Sequence, residues 1–437
     1  MDHLEIWSYQ ECFENMDKVL LASQLKYVMD NSLFYIEKFK EAGLELRQIM
    51  DLDYFSKLPY TLKEELLADQ EKYPPFGRLA TKEDSNRLRR VHITSGSTGK
   101  PFYVIMTEND IAATVEAGRR AFLCAGLTPD DLVIHCLNYC LWAGGLTDHL
   151  NLESTGATVI PFGVGNSKNL IRTILHLKPS AISCTPSYLS RLEFLLKGEF
   201  GMKPPSLGLK KAFLGGEGGL QNPGIRARIE NTWKMKAIDA NYGMADVLSI
   251  FGSECEARQG MHFHGQGILF LEIIDPETSK NLPVEEGQVG EMVLTNLKRE
   301  AQPLLRYRSR DIMKILSTQK CTCGRKSFRF LVVGRSDDMI VVRGVNIYPS
   351  AVAALLAERS QWFSGEFELV LDGPPPYEYP LLRVEIAQES GCIEKDEIKK
   401  ELLRNCQEQL NFTPRIDLLD FGRFPRTERK TKRIKRL

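Results

Sequence analysis

Four short apolar runs, Val133-Ile-His-Cys-Leu137, Thr158-Val-Ile-Pro-Phe162, Ala181-Ile-Ser-Cys-Thr185 and Lys211-Ala-Phe-Leu214, decide the fold. Each has the length and apolar character of a strand. Helical periodicity runs through Asn169–Leu177 and Ser187–Leu196 between them, and through Ile111–Ala125 ahead of them. Strands alternating with helices predict an α/β fold on a mainly parallel sheet, with ligands at the strand ends. Upstream, residues 11–70 are mostly helical in pattern. Downstream, residues 268–315 turn to strands and turns (Leu269–Ile274, Asp275-Pro276, Gly290–Leu294), which predicts a β-rich subdomain over about 255–330. A break at Gly334-Arg-Ser-Asp-Asp338 precedes two helical segments, Pro349–Glu358 and Lys395–Leu410, with strands between. The expected organisation is a large domain over 1–334, a connection at 335–338 and a small α+β lid over 339–437.

The chain has 437 residues, 43% hydrophobic and 26% charged, as in a soluble globular enzyme of two or three domains. Its 57 basic residues balance 57 acidic ones, so no global charge favours nucleic acid or an anionic membrane. Residues 1–5 lack a basic and apolar signal pattern, and no run approaches the roughly eighteen apolar residues of a membrane helix. Ten scattered cysteines give no secreted framework, so a reducing cytoplasm is expected.

Between strand-like runs at 88–93 and 101–106 lies Thr94-Ser-Gly-Ser-Thr-Gly-Lys100. Its glycines let the backbone turn its N–H groups inward, and hydroxyls with one ammonium add donors around the same hollow, a chemistry suited to polyphosphate. Only two residues separate Gly96 from Gly99-Lys100, and a proline follows, so it is not the nucleotide loop of strand–GxxxxGK[ST]–helix proteins. Farther along, Cys255-x6-His262 precedes the β-rich segment's main strands and Cys321-x-Cys323-Gly follows them. Two soft pairs bracketing one β unit predict a closed, structural zinc site, against the alternative of free buried thiols.

In order come the loop at 94–100, Phe213-Leu-Gly-Gly-Glu217, Asn241-Tyr-Gly-Met-Ala-Asp246, Arg306-Tyr-Arg-Ser-Arg-Asp311, Gly334–Asp338 and Arg343-Gly-Val-Asn-Ile-Tyr-Pro349. In this order and spacing the chain resembles the phenylacetate–CoA ligase branch of the adenylate-forming superfamily, over roughly residues 30–437. The resemblance implies a carboxylate attacking the α-phosphate of ATP, giving an acyl-adenylate that passes to CoA. Positioning and charge neutralisation carry most of that catalysis.

The resemblance also implies roles. Thr94, Ser95, Gly96, Ser97, Thr98, Gly99 and Lys100 hold the β- and γ-phosphates. Asp311 binds the ribose hydroxyls. Tyr242, within Asn241–Gly243, stacks beside adenine, with Gly216 and Glu217 on the other side. Arg335 reaches ribose or phosphate, or else forms a structural ion pair. Asp246 holds Mg²⁺, but the family's hydroxyl–glutamate pair is Ala245-Asp246 here, one methylene shorter and lacking the hydroxyl. Lys430, with Lys432 as the alternative, bridges the carboxylate and α-phosphate, although Arg429 replaces the family's glycine. Asp337 and Asp338 form the hinge of a mobile lid, and Gly344 lines the pantetheine tunnel. Tyr139, Trp142, Ala143, Gly144, Phe162 and Gly163 form a flat slot for a planar ring. Asp148 and His149 read a polar ring substituent or lie on a helix surface. The leading function is an aryl or arylacetic acid–CoA ligase using ATP, Mg²⁺ and CoA, with a homodimer fitting the family. The alternatives are an enzyme loading a carrier-protein pantetheine and a nucleotide-binding homologue without turnover.

Overall fold

The structure is a computed structural model that describes residues 3–81, 88–94, 101–218, 220–221, 223–343, 345–373, 377–387, 394–424 and 433–437. The four apolar runs form strands Leu132–His135, Thr158–Pro161, Ala181–Cys184 and Lys211–Gly215, and Lys236–Met244 joins them. These five lie parallel in the order 158–161, 132–135, 181–184, 211–215, 236–244. Period-2 alternation sends successive side chains to opposite faces. Ile134, Ile182, Ala212, Leu214 and Ala237 pack under the helices Ser167–Leu177, Pro186–Leu195 and Pro223–Trp233. Val133, Ala181, Phe213, Ile238 and Ala240 turn the other way, onto Ala121, Phe122 and Leu152 of Glu108–Cys124 and Ala143–Glu153. Both faces are covered, which is why these strands read as continuous apolar runs.

The sheet changes character after Met244. Three residues, Ala245–Val247, cannot carry a crossover helix, so Leu248–Glu254 returns antiparallel to Lys236–Met244. Met261–Phe263, Arg329–Arg335, Tyr307–Ser317, Val289–Asn296, Leu269–Ile274 and Asn281–Leu282 follow, all antiparallel to their neighbours. The β-rich segment thus continues one twelve-stranded mixed sheet. Beyond it, a hairpin of Ile340–Val342 with Val345–Ile347 leads to a smaller α/β part. Its four strands, in the order 415–419, 381–386, 363–371, 434–436, carry the helices Pro349–Ala357 and Lys395–Leu410 over a separate core that includes Val352, Phe367, Leu382 and Leu402.

The helix Ala143–Glu153 falls in a stretch read from the sequence mainly as pocket wall. Two glycines in its first turn weaken the helical signal. Among the described residues, no helix is long and apolar enough to cross a membrane.

Candidate active site

The parallel strands end on one edge, and the motifs continue from those ends: Asn138–Trp142 after His135, Thr185–Ser187 after Cys184, Gly216-Glu217 after Gly215, and Ala245-Asp246 after Met244. Asp246 Oδ2 accepts from Lys63 Nζ at 2.7 Å and from Tyr307 OH at 2.8 Å. Lys63 Nζ also donates to Thr94 Oγ1 at 3.1 Å and lies 4.2 Å from the Phe102 ring centroid. Thr94 ends strand Arg90–Thr94, which pairs antiparallel with Phe102–Met106. Ser95, Gly96, Ser97, Thr98, Gly99 and Lys100 lie outside the described residues, as do Gly344, Lys430 and Lys432.

The residues expected on the ribose side converge. Tyr242 OH donates to Asp311 Oδ2 at 2.7 Å, and Arg335 Nη1 donates to Asp311 Oδ1 at 3.0 Å. Arg335 and Asp311 pair across adjacent strands. Burial, then the Asp311 charge, pushes the Tyr242 phenol well above its ordinary range; burial, then Asp246, does the same to Tyr307. Both phenols therefore stay hydrogen-bond donors. Phe251 and Phe330 meet the Tyr242 ring edge-on, with centroids at 5.2 and 5.7 Å, and fix its plane. Glu217 accepts from Ser187 Oγ at 2.9 Å, beside Gly216 at φ +76°. Arg335 also grips Asp337 through two 2.8 Å bonds, while Asp338 stands exposed.

Among the residues expected at the acyl slot, a Cβ on Gly163 would sit 3.4 Å from the Tyr139 ring, and one on the neighbouring Gly145 would strike the backbone of Asn138 and Tyr139. Tyr139 OH meets His149 Nδ1 at 3.0 Å, and His149 Nε2 lies 3.0 Å from Glu153. Trp142 is half-buried and bridges to Ile93; Ala143 is buried, and Phe162 packs against the core beside the helices. Asp148 is not on a helix surface: it is 1% exposed and accepts from Asn241 Nδ2. Burial raises its carboxyl well above the usual range, and the Asn241 bond offsets this only in part.

Sequence reasoning missed Lys63, Tyr307, His92 and His135. Lys63 opens the helix Lys63–Lys72, and with Glu64 and Glu65 beside it, it reads as a solvated charge. His135 Nε2 donates to Gly144 O and Gly145 O at 3.1 and 3.0 Å, and Ser183 Oγ donates to its Nδ1 at 3.1 Å, so it pins the first turn of Ala143–Glu153 as a neutral ring.

Away from this edge, the donor atoms of Cys255, His262, Cys321 and Cys323 all lie within 4.8 Å of one another. Cys255 and Cys321 sulfurs are 3.7 Å apart, and Cys323 Sγ is 3.5 Å from His262 Nε2. Tetrahedral zinc with Zn–S near 2.3 Å has edges of about 3.7 Å for S–S and about 3.5 Å for S–N, so the donors fit. Ser327 Oγ meets His262 Nδ1 at 3.2 Å, leaving Nε2 to face the sulfurs. A hydrogen bond from Cys124, and then His262, hold Cys255 far below the ordinary thiol range, as a thiolate.

A carboxylate against a cation, a tyrosine–carboxylate pair and an arginine thus gather along this edge. The family model for the AMP-binding enzyme matches residues 14–296 and that for its C-terminal domain matches 344–436, so the chain belongs to the AMP-binding enzyme family. Within that family it is 33% identical to phenylacetate-coenzyme A ligase of Thermus thermophilus, over 92% of this chain and 91% of that protein. It is 30% identical to the enzyme of that name from Pseudomonas putida, over 93% and 90%. A solved 2-hydroxyisobutyryl-CoA ligase in the postadenylation state, with 2-HIB-AMP, superposes with a TM-score of 0.86 at 30% identity, covering 95% of this chain and 88% of that one. The same ligase with 2-HIB-AMP and CoA in the thioesterification state gives 0.68 at 30% identity, covering 96% and 89%.

Proposed function

We propose that this chain is an AMP-forming acid–CoA ligase that activates an aryl or arylacetic acid as its acyl-adenylate and then transfers the acyl group to CoA. The observation that carries the reading is the convergence at one sheet edge of Thr94, Lys63 and Asp246 with Tyr242, Asp311 and Arg335. The curated relatives act, by name, on phenylacetate, and the solved one on 2-hydroxyisobutyrate.

In this reading Asp311 accepts both ribose hydroxyls while Tyr242 and Arg335 hold its carboxylate in place. Lys63 and the loop at 94–100 neutralise the pyrophosphate side, and Lys430 draws the substrate carboxylate toward the α-phosphate. Mg²⁺, when bound, supplies charge neutralisation at the phosphates. Asp246 fits it, since among the described residues its hydrogen bonds all fall on Oδ2, leaving Oδ1 to face a cation. Rotation about Asp337 and Asp338 then exchanges the lid's adenylation face for the one bearing Gly344. Cys255, His262, Cys321 and Cys323 hold a structural zinc ion. The homodimer and the cytoplasmic location rest on family resemblance and composition; light scattering giving twice 49.6 kDa supports the dimer.

The decisive experiment is pyrophosphate release from ATP with a panel of aryl and arylacetic acids, with and without CoA. Release coupled to CoA consumption supports the ligase. Release without CoA consumption moves the acceptor to a carrier protein, and no release with any acid overturns the activity.

A further inference from the structure

The inner wall of the acyl slot is polar where a site for an unsubstituted ring needs none. Asp148 sits one turn along from Gly144 on the helix Ala143–Glu153, at 1% exposure. Asn241 Nδ2 donates to its Oδ2, and among the described residues its Oδ1 has no hydrogen-bond partner. Nothing structural demands a carboxyl here. It makes no ion pair among the described residues, and burial holds it in the protonated range.

The neighbouring geometry shows where the pair points. A Cβ on Gly144 would stand 3.4 Å from Leu137 Cδ1 and 3.6 Å from Asp148 Oδ2, so the missing side chain leaves space against that carboxyl. Asn241 is half-buried on the strand Lys236–Met244, next to Tyr242, where the acyl slot meets the nucleotide. Tyr139 OH, another polar group of the slot, meets His149, which reaches Glu153. Asp148, with its Oδ1 without a partner among the described residues, and Asn241 together offer this wall an acceptor and a donor.

We propose that the Asp148–Asn241 pair sets acid specificity, and that the preferred substrate is an aryl or arylacetic acid carrying a hydroxyl or amino group that completes this pair's hydrogen bonding. The inference rests on the acid-ligase reading above. A ring without such a group leaves buried polar atoms unpaired, a cost that a substituted ring avoids.

The test is pyrophosphate release with ATP, Mg²⁺ and CoA, comparing benzoic and phenylacetic acids with their hydroxy and amino derivatives. For the best derivative, kcat/KM is expected to exceed that of its unsubstituted parent by about tenfold or more. Asp148→Asn keeps the hydrogen-bonding capacity and keeps that ratio. Asp148→Leu and Asn241→Leu bring it toward unity. Because the ratio is taken within one preparation, a partly unfolded variant does not distort it, and the wild-type ratio decides even where a leucine variant does not fold. A wild-type enzyme that favours the parent acids, or leucine variants that keep the full preference, overturns the inference while leaving the ligase reading intact. Failure of every acid to release pyrophosphate overturns both.

Discussion

Lys63 carries its charge beside Asp246, where our reading places the metal. In that reading Asp246 is one methylene short of the glutamate that the resemblance implies and Ala245 lacks the hydroxyl, so two polar contributions to the phosphate side are reduced. The Lys63 ammonium, 19% exposed against a carboxylate at 10%, spans from Asp246 to Thr94 and supplies a fixed positive charge between them. A preorganised charge aimed at developing phosphate charge acts mainly in the transition state. Lys63→Ala is therefore expected to lower the rate of pyrophosphate release by about ten- to a hundredfold, with a smaller change in the KM for the acid. An unchanged rate would remove Lys63 from the phosphate site. Asp246→Ala is expected to lose at least as much and to weaken the dependence on Mg²⁺ concentration; unchanged adenylate formation would reject the metal assignment. Asp246 draws attention in the sequence because it sits in a motif. Lys63 was not, because its partners lie 31 and 183 residues away in sequence.

At the scale of elements, two buried histidines flank the helix Ala143–Glu153, which our reading makes the acyl wall. His135 holds the carbonyls of Gly144 and Gly145, while His92 meets Leu141 O at 3.1 Å and Thr147 Oγ1 at 3.1 Å. Burial depresses each to about 4. The unfolded chain thus takes up these protons first as pH falls, so their contribution is intact above about pH 6.5 and is lost between there and about pH 4. For His135, almost fully buried, the loss is about 3 kcal/mol. Urea unfolding across this range is expected to show stability falling with acidity, and His135→Gln to flatten that slope; an equal slope in both proteins would refute it. The cluster of Cys255, His262, Cys321 and Cys323, where we propose zinc, is a second such element. Gly324 N donates to Cys321 O and Cys321 N to Arg325 O, both at 2.9 Å, closing a tight turn around the two cysteines. Cys321→Ser is expected to abolish bound zinc by metal analysis and to lower the melting temperature by several degrees, with Cys140→Ser, at an exposed cysteine, as the unaffected control. Protein purified without added zinc that carries none would sink the site. The parallel strands and the soft-ligand spacing were readable because apolar runs and Cys-x-Cys-Gly are local patterns. The acyl helix was masked by Gly144-Gly145, and the single continuous sheet depends on pairings between distant strands that periodicity does not encode.

For the whole molecule, the question is how one site serves two half-reactions. The same relative, at the same identity and similar coverage, superposes at 0.86 in its postadenylation state and at 0.68 in its thioesterification state. Such a drop without a change of sequence reflects a rearrangement of large parts, and this chain's arrangement lies nearer the former. The segment that absorbs the rearrangement in our reading is 335–338. Arg335 there joins Asp311, which our reading places on the ribose, to Asp337 through paired bonds, and Ser336 N donates to Arg310 O at 2.7 Å. Ser350 Oγ, just past the hairpin, donates to Val333 O at 2.6 Å, adding a contact between the C-terminal part and the large sheet that a rotation must break. A proline at 337 fixes φ near −65° and removes the swivel. Asp337→Pro is therefore expected to retain acid-dependent pyrophosphate release while losing acyl-CoA formation by about a hundredfold or more, since a lid held in one orientation adenylates but does not present CoA. Asp337→Ala removes the same carboxylate from Arg335 without restricting the backbone, so it separates the ion pair from the swivel. If alanine abolishes thioester formation as fully as proline does, the Arg335–Asp337 bond governs the second step; if both variants make acyl-CoA at the wild-type rate, the hinge lies elsewhere.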